Sequence, residues 1–446
     1  MNTANLALEQ TPPLSVPLRF FLTAPLFGLL ASILLLYDGP LIFNNRWHPD
    51  TLALTHLVTL GFITMVMFGA LLQLLPVLAG SSIPHPIGFS TVLHILLSLG
   101  TLSLVAGFII GSALLMQGAV VLLGLAFSGF IGIVAYCLFL VKARTPIITA
   151  MRLALGALAI TAVLGIGLGM LFGFGVALPS PTVLTDLHLT WGLIGWVGLL
   201  VIGIAYQVVP MFQITPQFPP SLTRWLIPLI FIGLLIWSPV YVLARLNKLP
   251  DIVPLSLAGF IGLGLSGFAV TTFYLQAHRL RKLPDVTLNY WRVGMVGLLL
   301  SIGLWLVGIL WTDLATKPFF PVLLGILFMG GFVLCVIQGM LYKIIPFIIW
   351  LHLQNQQLNI LKTIQMLKTP NMKQIIPDKL ARWQFWVYII ALGLTIGTFW
   401  LPSLIYAAGV VGGCSFLLLG YNFYRALWLY RSVSLQIIAH QAQIEH

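Results

Sequence analysis

The sequence predicts an all-α integral membrane protein, and three observations support that prediction. Of the 446 residues, 60% are hydrophobic and only 7% are charged, whereas a soluble domain is usually about a quarter charged. The 91 residues from Thr51 to Val141 contain no Lys, Arg, Asp or Glu, which leaves room for three spanning helices of about 20 residues each. The apolar runs are continuous rather than alternating, which excludes a transmembrane β-barrel.

Dividing the chain at charges, Pro and Gly gives about 12 transmembrane helices. The predicted spans are roughly 19–37, 51–76, 87–110, 115–141, 150–173, 185–211, 223–244, 252–277, 291–312, 319–349, 383–401 and 403–427, with ends good to about four residues. We treat 1–446 as a single polytopic membrane domain. The polar connection 351–382 is expected at the cytoplasmic surface, either as a basic segment on anionic lipid or as a solvated linker.

The basic residues predict the orientation of these spans. With both termini in the cytoplasm, 16 Lys and Arg fall on the inner side and four on the outer side, which is the positive-inside pattern. The inner set is Arg19, Lys142, Arg144, Arg152, Arg224, Arg279, Arg281, Lys282, Arg292, Lys362, Lys368, Lys373, Lys379, Arg382, Arg425 and Arg431, and the outer set is Arg46, Arg245, Lys248 and Lys317. We therefore expect a bacterial inner-membrane protein. Topology accounts for most of the net charge of +12, so we do not expect nucleic-acid binding.

One pattern, Gly-x-x-x-(Gln/Lys)-x-x-Pro, occurs three times, at the ends of the second, sixth and tenth spans. Its polar members, Gln73, Gln207 and Lys343, are 134 and 136 residues apart. The period of four helices predicts a pseudo-threefold arrangement of three four-helix units, at about 19–141, 150–277 and 291–427. The glycines would allow close helix approach, and Pro would end or kink each helix.

An intramembrane Gln or Lys is costly against lipid, so we expect Gln73, Gln207 and Lys343 to form a polar inner ring. The alternative is that each caps a helix end and snorkels to the surface. His94, predicted at a similar depth on the third helix, could join this ring as part of a polar relay. The preferred interpretation of His94 is a histidine whose hydrogen bonds are satisfied in the core.

Two histidines, His56 and His188, lie near the outer starts of the second and sixth helices, which are equivalent in the repeat. Such a pair suits ligation of heme iron or copper by neutral imidazole. Glycines at 61, 69, 192, 195, 198 and 203 would leave a slot for a flat heme. The alternative is that both histidines only make local hydrogen bonds. His48 is either a third outer metal ligand or an interfacial residue, and the interfacial reading is preferred.

Twelve helices in three arcs, with histidines on helices two and six, resemble the catalytic subunit of the heme–copper oxidases and nitric oxide reductases. The segment from Thr55-His56-Leu57 through Gln73-Leu74-Leu75-Pro76 is especially similar to NnrS-like membrane proteins, which are associated with heme, copper and nitric oxide stress. The resemblance implies that His56 binds a low-spin heme. It also requires histidines on helix ten and a pair on helix seven, which are absent from Phe319–Trp350 and 223–244.

The degenerate set of ligands makes a terminal oxidase improbable. Our first hypothesis is a protein that binds heme b, with copper handling as an added option, in electron transfer or nitric oxide handling; whether it is an enzyme is left open. The second is a cofactor-free transporter or channel that uses Gln73, Gln207 and Lys343. The third is a structural or assembly subunit. Expected partners are the lipid bilayer and a cytochrome or other respiratory subunit.

Overall fold

A computed structural model of the chain describes residues 11–80, 83–280, 284–360 and 369–444, and within these ranges it contains helices and no strands. Twelve helices in this part of the chain are long and apolar enough to cross a membrane, which confirms the predicted fold class. In chain order they are α1 (Ser15–Asp38), α2 (49–79), α3 (Pro86–Ile110), α4 (Ala113–Leu140), α5 (Pro146–Phe174), α6 (181–213), α7 (Pro220–Arg245), α8 (Ile252–Ala277), α9 (Val286–Leu310), α10 (319–360), α11 (Asp378–Gly397) and α12 (Leu404–Ile444).

Nine of the twelve observed helices begin earlier than the predicted spans, and five of these nine begin with proline. Pro49, Pro146 and Pro181 each occupy the first turn of a helix, where proline has no hydrogen bond to lose and its φ is already helical. The prolines of the repeated motif do not end their helices, which was one of the two outcomes predicted for them. Pro76 and Pro346 lie inside helices that continue to Ala79 and Ile360. Each removes a single hydrogen bond, and the packed bundle tolerates that loss.

The helices form a closed ring of three units. Within the units, α3 packs on α4, α7 on α8 and α11 on α12. Between the units, α4 packs on α5, α8 on α9 and α12 on α1. The same pairing of last helix with first helix therefore occurs at all three unit boundaries, as a pseudo-threefold arrangement requires.

The repeated glycines make the contacts that the sequence predicted for them. A Cβ at Gly69 would lie 2.8 Å from Phe20 of α1, one at Gly203 would lie 2.2 Å from Ala150 of α5, and one at Gly339 would lie 2.6 Å from Tyr290 of α9. In each unit the first helix thus packs directly on the motif glycine of the second, so close that no side chain fits between them.

Each of the three motif glycines is preceded, eight residues earlier, by a second glycine. The sequence analysis did not group these three glycines as a repeat. A Cβ at Gly61 would lie 2.4 Å from Phe27, and one at Gly195 would lie 2.9 Å from Ala157. Gly331 faces Gly297 of α9, with its Cβ position 3.2 Å from the Gly297 Cα. The full repeated contact is therefore two glycines, two helical turns apart, against one neighbouring helix.

Each of α2, α6 and α10 also contains one π-helical stretch at the equivalent depth. These stretches are Leu57–Thr64, Trp191–Gly198 and Ile326–Leu334. A π turn holds more residues than an α turn and occurs often at functional sites. Nothing in the sequence pattern indicated these stretches, since the apolar runs continue through them unchanged.

The third unit is longer than predicted at one end. Residues 351–360, assigned from the sequence to the polar connection, continue α10, and a short helix, Met372–Ile375, precedes α11. Gln356 of α10 donates a hydrogen bond of 3.2 Å to the Tyr430 hydroxyl of α12, so these two helices stay together past the predicted spans. Of the predicted inner basic residues, Arg281, Lys282, Lys362 and Lys368 lie outside the described residues.

A paired-histidine site beside an apolar cavity

The imidazole rings of His56 and His188 lie side by side between α2 and α6. Their centroids are 6.5 Å apart and their planes differ by 23°. Each histidine is seven residues beyond the proline that starts its helix, Pro49 or Pro181. Counted from the helix starts, the two positions are therefore equivalent, although they differ by two residues when counted from the repeated Gln.

Hydrogen bonds fix the same tautomer in both rings. The His56 Nδ1 is 2.7 Å from the carbonyl oxygen of Leu52, and the His188 Nδ1 is 3.0 Å from the carbonyl oxygen of Thr161 on α5. A carbonyl oxygen only accepts, so Nδ1 carries the proton and donates in each case. In neutral imidazole this leaves Nε2 with a free lone pair, the arrangement found in histidines that bind metals.

Neighbouring residues hold the two rings in place. Gly165 of α5 leaves the space that the His188 ring fills, since a Cβ there would lie 2.7 Å from the His188 Cε1. On the other side, the Phe108 ring lies 5.6 Å from the His56 ring at 27°. Phe172 in turn packs edge-on against Phe108 at 5.8 Å. The pair is therefore bounded by α3 and α5 as well as by its own helices.

Both histidines line a cavity of about 740 Å³ inside the bundle. Its wall is mainly apolar and includes Leu54, Val58, Ile166 and Leu193. Cavities that hold small organic ligands are typically about 300–1,000 Å³ and have apolar walls with a few polar groups. In size and lining this cavity belongs to that class.

The predicted glycine slot is only partly correct. Gly192 lines the cavity, as do Gly165 and Gly169 of α5. The glycines at 61, 69, 195 and 203 instead pack against Phe27, Phe20, Ala157 and Ala150. The sequence pattern could not separate these two uses, because a glycine that admits a helix looks the same as one that admits a ligand.

An ionic cluster lies at the same end of the bundle. Arg46, which lines the cavity, forms a 2.8 Å ion pair with Asp186 of α6 and stacks on Trp47 at 4.3 Å. The Tyr241 hydroxyl of α7 donates a 2.6 Å hydrogen bond to the other carboxylate oxygen of Asp186. Asp186 is only two residues from His188, so this cluster ties the start of α6 to the α1–α2 connection and to α7.

The residues predicted to form the polar ring differ in their burial and in their partners. Lys343 forms a 2.9 Å ion pair with Asp285, the residue before α9. Gln73 is buried and its Oε1 has no hydrogen-bond partner, whereas Gln207 is half-buried. His94 has a hydrogen-bond partner within the core, because its Nε2 is 2.9 Å from the Thr23 hydroxyl. That hydroxyl already donates its proton to the carbonyl oxygen of Arg19, so it accepts from His94.

Two further histidines do not join the pair. His48 is not among the residues that line the cavity and lies instead beside Asp38 and Asp50. His352 falls on α10 because that helix continues past residue 350, so α10 does carry a histidine, contrary to expectation. The His352 Nδ1 and Nε2 are 2.8 Å and 3.1 Å from the carbonyl oxygens of Ile348 and Pro12. Its place near the opposite end of the bundle makes it unsuitable as a ligand with His56.

The third unit contains a buried polar cluster that the sequence analysis missed. Gln384 of α11 is fully buried, and its Nε2 donates to Gln338 Oε1 at 2.8 Å and to Ser415 Oγ at 2.9 Å. Its Oε1 accepts from the hydroxyls of Tyr290 and Tyr342. These five side chains come from α9, α10, α11 and α12. The sequence analysis considered charges, histidines and the repeated motif, and these neutral amides belong to none of those groups.

Comparison with known proteins adds no family to this description. No protein-family model matches the chain, and a search of curated proteins finds no relative.

Proposed function

We propose that this chain is a membrane protein that binds one heme b through His56 and His188 and acts in electron transfer or nitric oxide handling. The observation that carries the proposal is the histidine pair itself. Both rings are fixed with Nδ1 as donor, both leave Nε2 available, and both face one ligand-sized cavity. A site of this kind could hold other ligands. We choose heme, with electron transfer or nitric oxide handling, because of the motif resemblance around His56.

The 6.5 Å between the ring centres is of the size that a single metal ion between two imidazoles would require. A metal–imidazole bond is about 2.0–2.1 Å for zinc, so two imidazoles on opposite sides of one ion have centres about 6.4 Å apart. The observed separation is 6.5 Å. With the cavity beside them, His56 and His188 would hold the iron of a heme, and the heme would supply one-electron transfer.

Arg46 suits the polar edge of such a group. Arg46 lines the same cavity at the end of the bundle that carries the histidines. Arginine is the side chain best matched to carboxylates, and the carboxylates of a heme need such a partner at a membrane surface. Asp186 holds Arg46 in position without burying it completely, since 30% of the Arg46 side chain is exposed.

Absorption spectra of the purified protein, oxidised and reduced, test the proposal together with metal analysis. We expect a Soret band with iron in a one-to-one ratio to the chain, lost in the H56A/H188A double variant. His278→Ala is the matched control, because His278 is exposed and its Nδ1 bonds only to the carbonyl of Tyr274 in its own helix. Copper instead of iron would assign the pair to a copper ion. A colourless, metal-free protein made with adequate heme supply would refute the proposal.

The transporter hypothesis has less support. It needs a charge available to a passing ion or proton, and Lys343 is already paired with Asp285. Flux in proteoliposomes that falls in K343M, from a protein without heme, would favour it over the heme proposal. A cytochrome or other respiratory subunit as partner stays a prediction from the sequence.

A further inference from the structure

Three potential metal ligands converge where α1 ends and α2 begins. Asp38 is the last residue of α1, His48 precedes the first residue of α2, and Asp50 lies in its first turn. One ligand atom from each lies within 4.8 Å of the others. The three come from a single connection, 38–50, and His48 does not line the cavity of the paired histidines.

One polar side-chain atom of each of these three residues lacks a hydrogen-bond partner. Asp38 Oδ2, His48 Nδ1 and Asp50 Oδ1 are each shielded from solvent and unpaired. The Asp38 and Asp50 side chains are only 11% and 15% exposed. Two shielded carboxylates close together repel each other, and Asp38 also faces the negative end of the α1 dipole. A bound cation would remove both penalties.

The spacing suits a metal ion better than direct hydrogen bonds. His48 Nδ1 is 3.8 Å from Asp38 Oδ2 and 3.6 Å from Asp50 Oδ2, beyond hydrogen-bonding distance. Ligands at about 2.0–2.2 Å around one tetrahedral zinc ion lie about 3.3–3.6 Å from each other. The observed distances therefore need only a small inward movement of the side chains to enclose an ion.

The connection that carries these ligands is fixed independently of them. The Thr51 hydroxyl bonds to the carbonyl oxygens of Ile42 and Asn45, which ties the connection to the first turn of α2. Arg46, the basic residue closest in sequence, is paired with Asp186. Arg46 therefore forms its ion pair away from Asp38 and Asp50, and the two carboxylates of the cluster remain for a cation.

We propose that Asp38, His48 and Asp50 bind one divalent transition-metal ion, with Zn²⁺ the best match and a fourth position open to water. One imidazole nitrogen and two carboxylate oxygens are donors that zinc accepts, and three protein ligands with an open position is a common zinc arrangement. Calcium and magnesium favour sites made of oxygen alone. The site is separate from the paired histidines, so it does not depend on the proposed heme.

Zinc titration of chelator-treated protein, followed by calorimetry, tests this site. The H56A/H188A variant serves as background so that the histidine pair cannot contribute. We expect one Zn²⁺ per chain, with D38N, H48A and D50N each weakening the affinity at least about tenfold, the cost of losing ~1.4 kcal/mol. Asp251→Asn is the matched control, because Asp251 is a 64% exposed carboxylate paired with Arg245 at the same end of the bundle.

A second measurement covers the case in which the background variant does not fold. Co²⁺ added to the wild-type chain should give a visible difference spectrum, measured against the same protein without Co²⁺, that H48A lacks, while H48A keeps the elution volume of the wild type. Equal Zn²⁺ affinity in the wild type and in the D38N/H48A/D50N variant would overturn the proposal. Calcium that competes equally with Zn²⁺ would overturn the assigned metal class.

Discussion

Gly165 on α5 lies against the imidazole of His188 on α6 with no space for a side chain between them. A Cβ on Gly165 would lie 2.7 Å from Cε1 and 3.2 Å from Nδ1 of that ring. The same ring donates its Nδ1 proton to the Thr161 carbonyl, one turn away on α5. The orientation of His188 therefore depends on a residue that cannot itself bind a ligand.

Gly165→Ala should weaken the proposed heme binding about tenfold, because overpacking costs ~1–3 kcal/mol and here it would turn the His188 ring. Heme content and the reduced absorption spectrum measure the effect. Gly167→Ala on the same helix is the control, since a Cβ at Gly167 meets nothing within 4 Å. If both variants keep the wild-type spectrum, the position of the His188 ring does not determine heme binding.

Tyr241→Phe should lower the free energy of unfolding by about 1–2 kcal/mol, because the hydroxyl donates to an ionised carboxylate in a partly buried cluster. Asp186→Asn should cost at least as much, since Asp186 also pairs with Arg46. Thermal unfolding in detergent measures both. The exposed pair of Arg245 and Asp251 gives the comparison, and D251N should change the stability by less than about 1 kcal/mol. Similar losses in D186N and D251N would contradict this ranking.

Gln384→Leu should destabilise the third unit by about 1–3 kcal/mol, because it leaves the buried Tyr290, Gln338 and Ser415 groups without their partner. The readout is the melting temperature of the detergent-solubilised protein. Gln217→Leu, at an exposed position in the connection before α7, should leave it unchanged. A stable Q384L protein would mean that water or a rearranged neighbour satisfies these groups.

Lys343→Met and Asp285→Asn should each destabilise the chain, and the double variant should lose less than the sum of the two single losses. The reason is that each single change leaves a partly buried charge without its partner. A double-mutant cycle on unfolding free energies should give a coupling of about 1 kcal/mol, discounted for the remaining exposure of the pair. Strict additivity would show that the ion pair does not contribute to stability.

The architecture could be predicted from the sequence, because the features that determine it recur at regular intervals along the chain. Charge-free runs locate the spans, and the motif around Gln73, Gln207 and Lys343 gives the three units. The same spacing applied to glycine would have found the contacts of Gly61, Gly195 and Gly331. Helix ends were less accurate, since proline in a first turn begins a helix and proline near a last turn does not always end it.

Only part of the candidate site could be predicted from the sequence. His56 and His188 were identified because they stand out in apolar helices, and their proximity followed from the repeat. The contribution of Gly165 and the Thr161 carbonyl could not be predicted, because it depends on how α5 packs against α6. Likewise, the approach of Asp38 to His48 and Asp50 depends on the path of one connection, for which no periodic signal exists.

The long helices of the third unit affect how this molecule can be imaged. At 1.5 Å per residue, the 41 residues of α12 extend about 60 Å, against a hydrocarbon thickness of about 30 Å. Because the three units of the bundle are similar, its electron cryomicroscopy images look nearly the same after a rotation by one third of a turn about the bundle axis. The rod formed by the ends of α10 and α12 stands beside one unit alone, and so provides the landmark for aligning particle images.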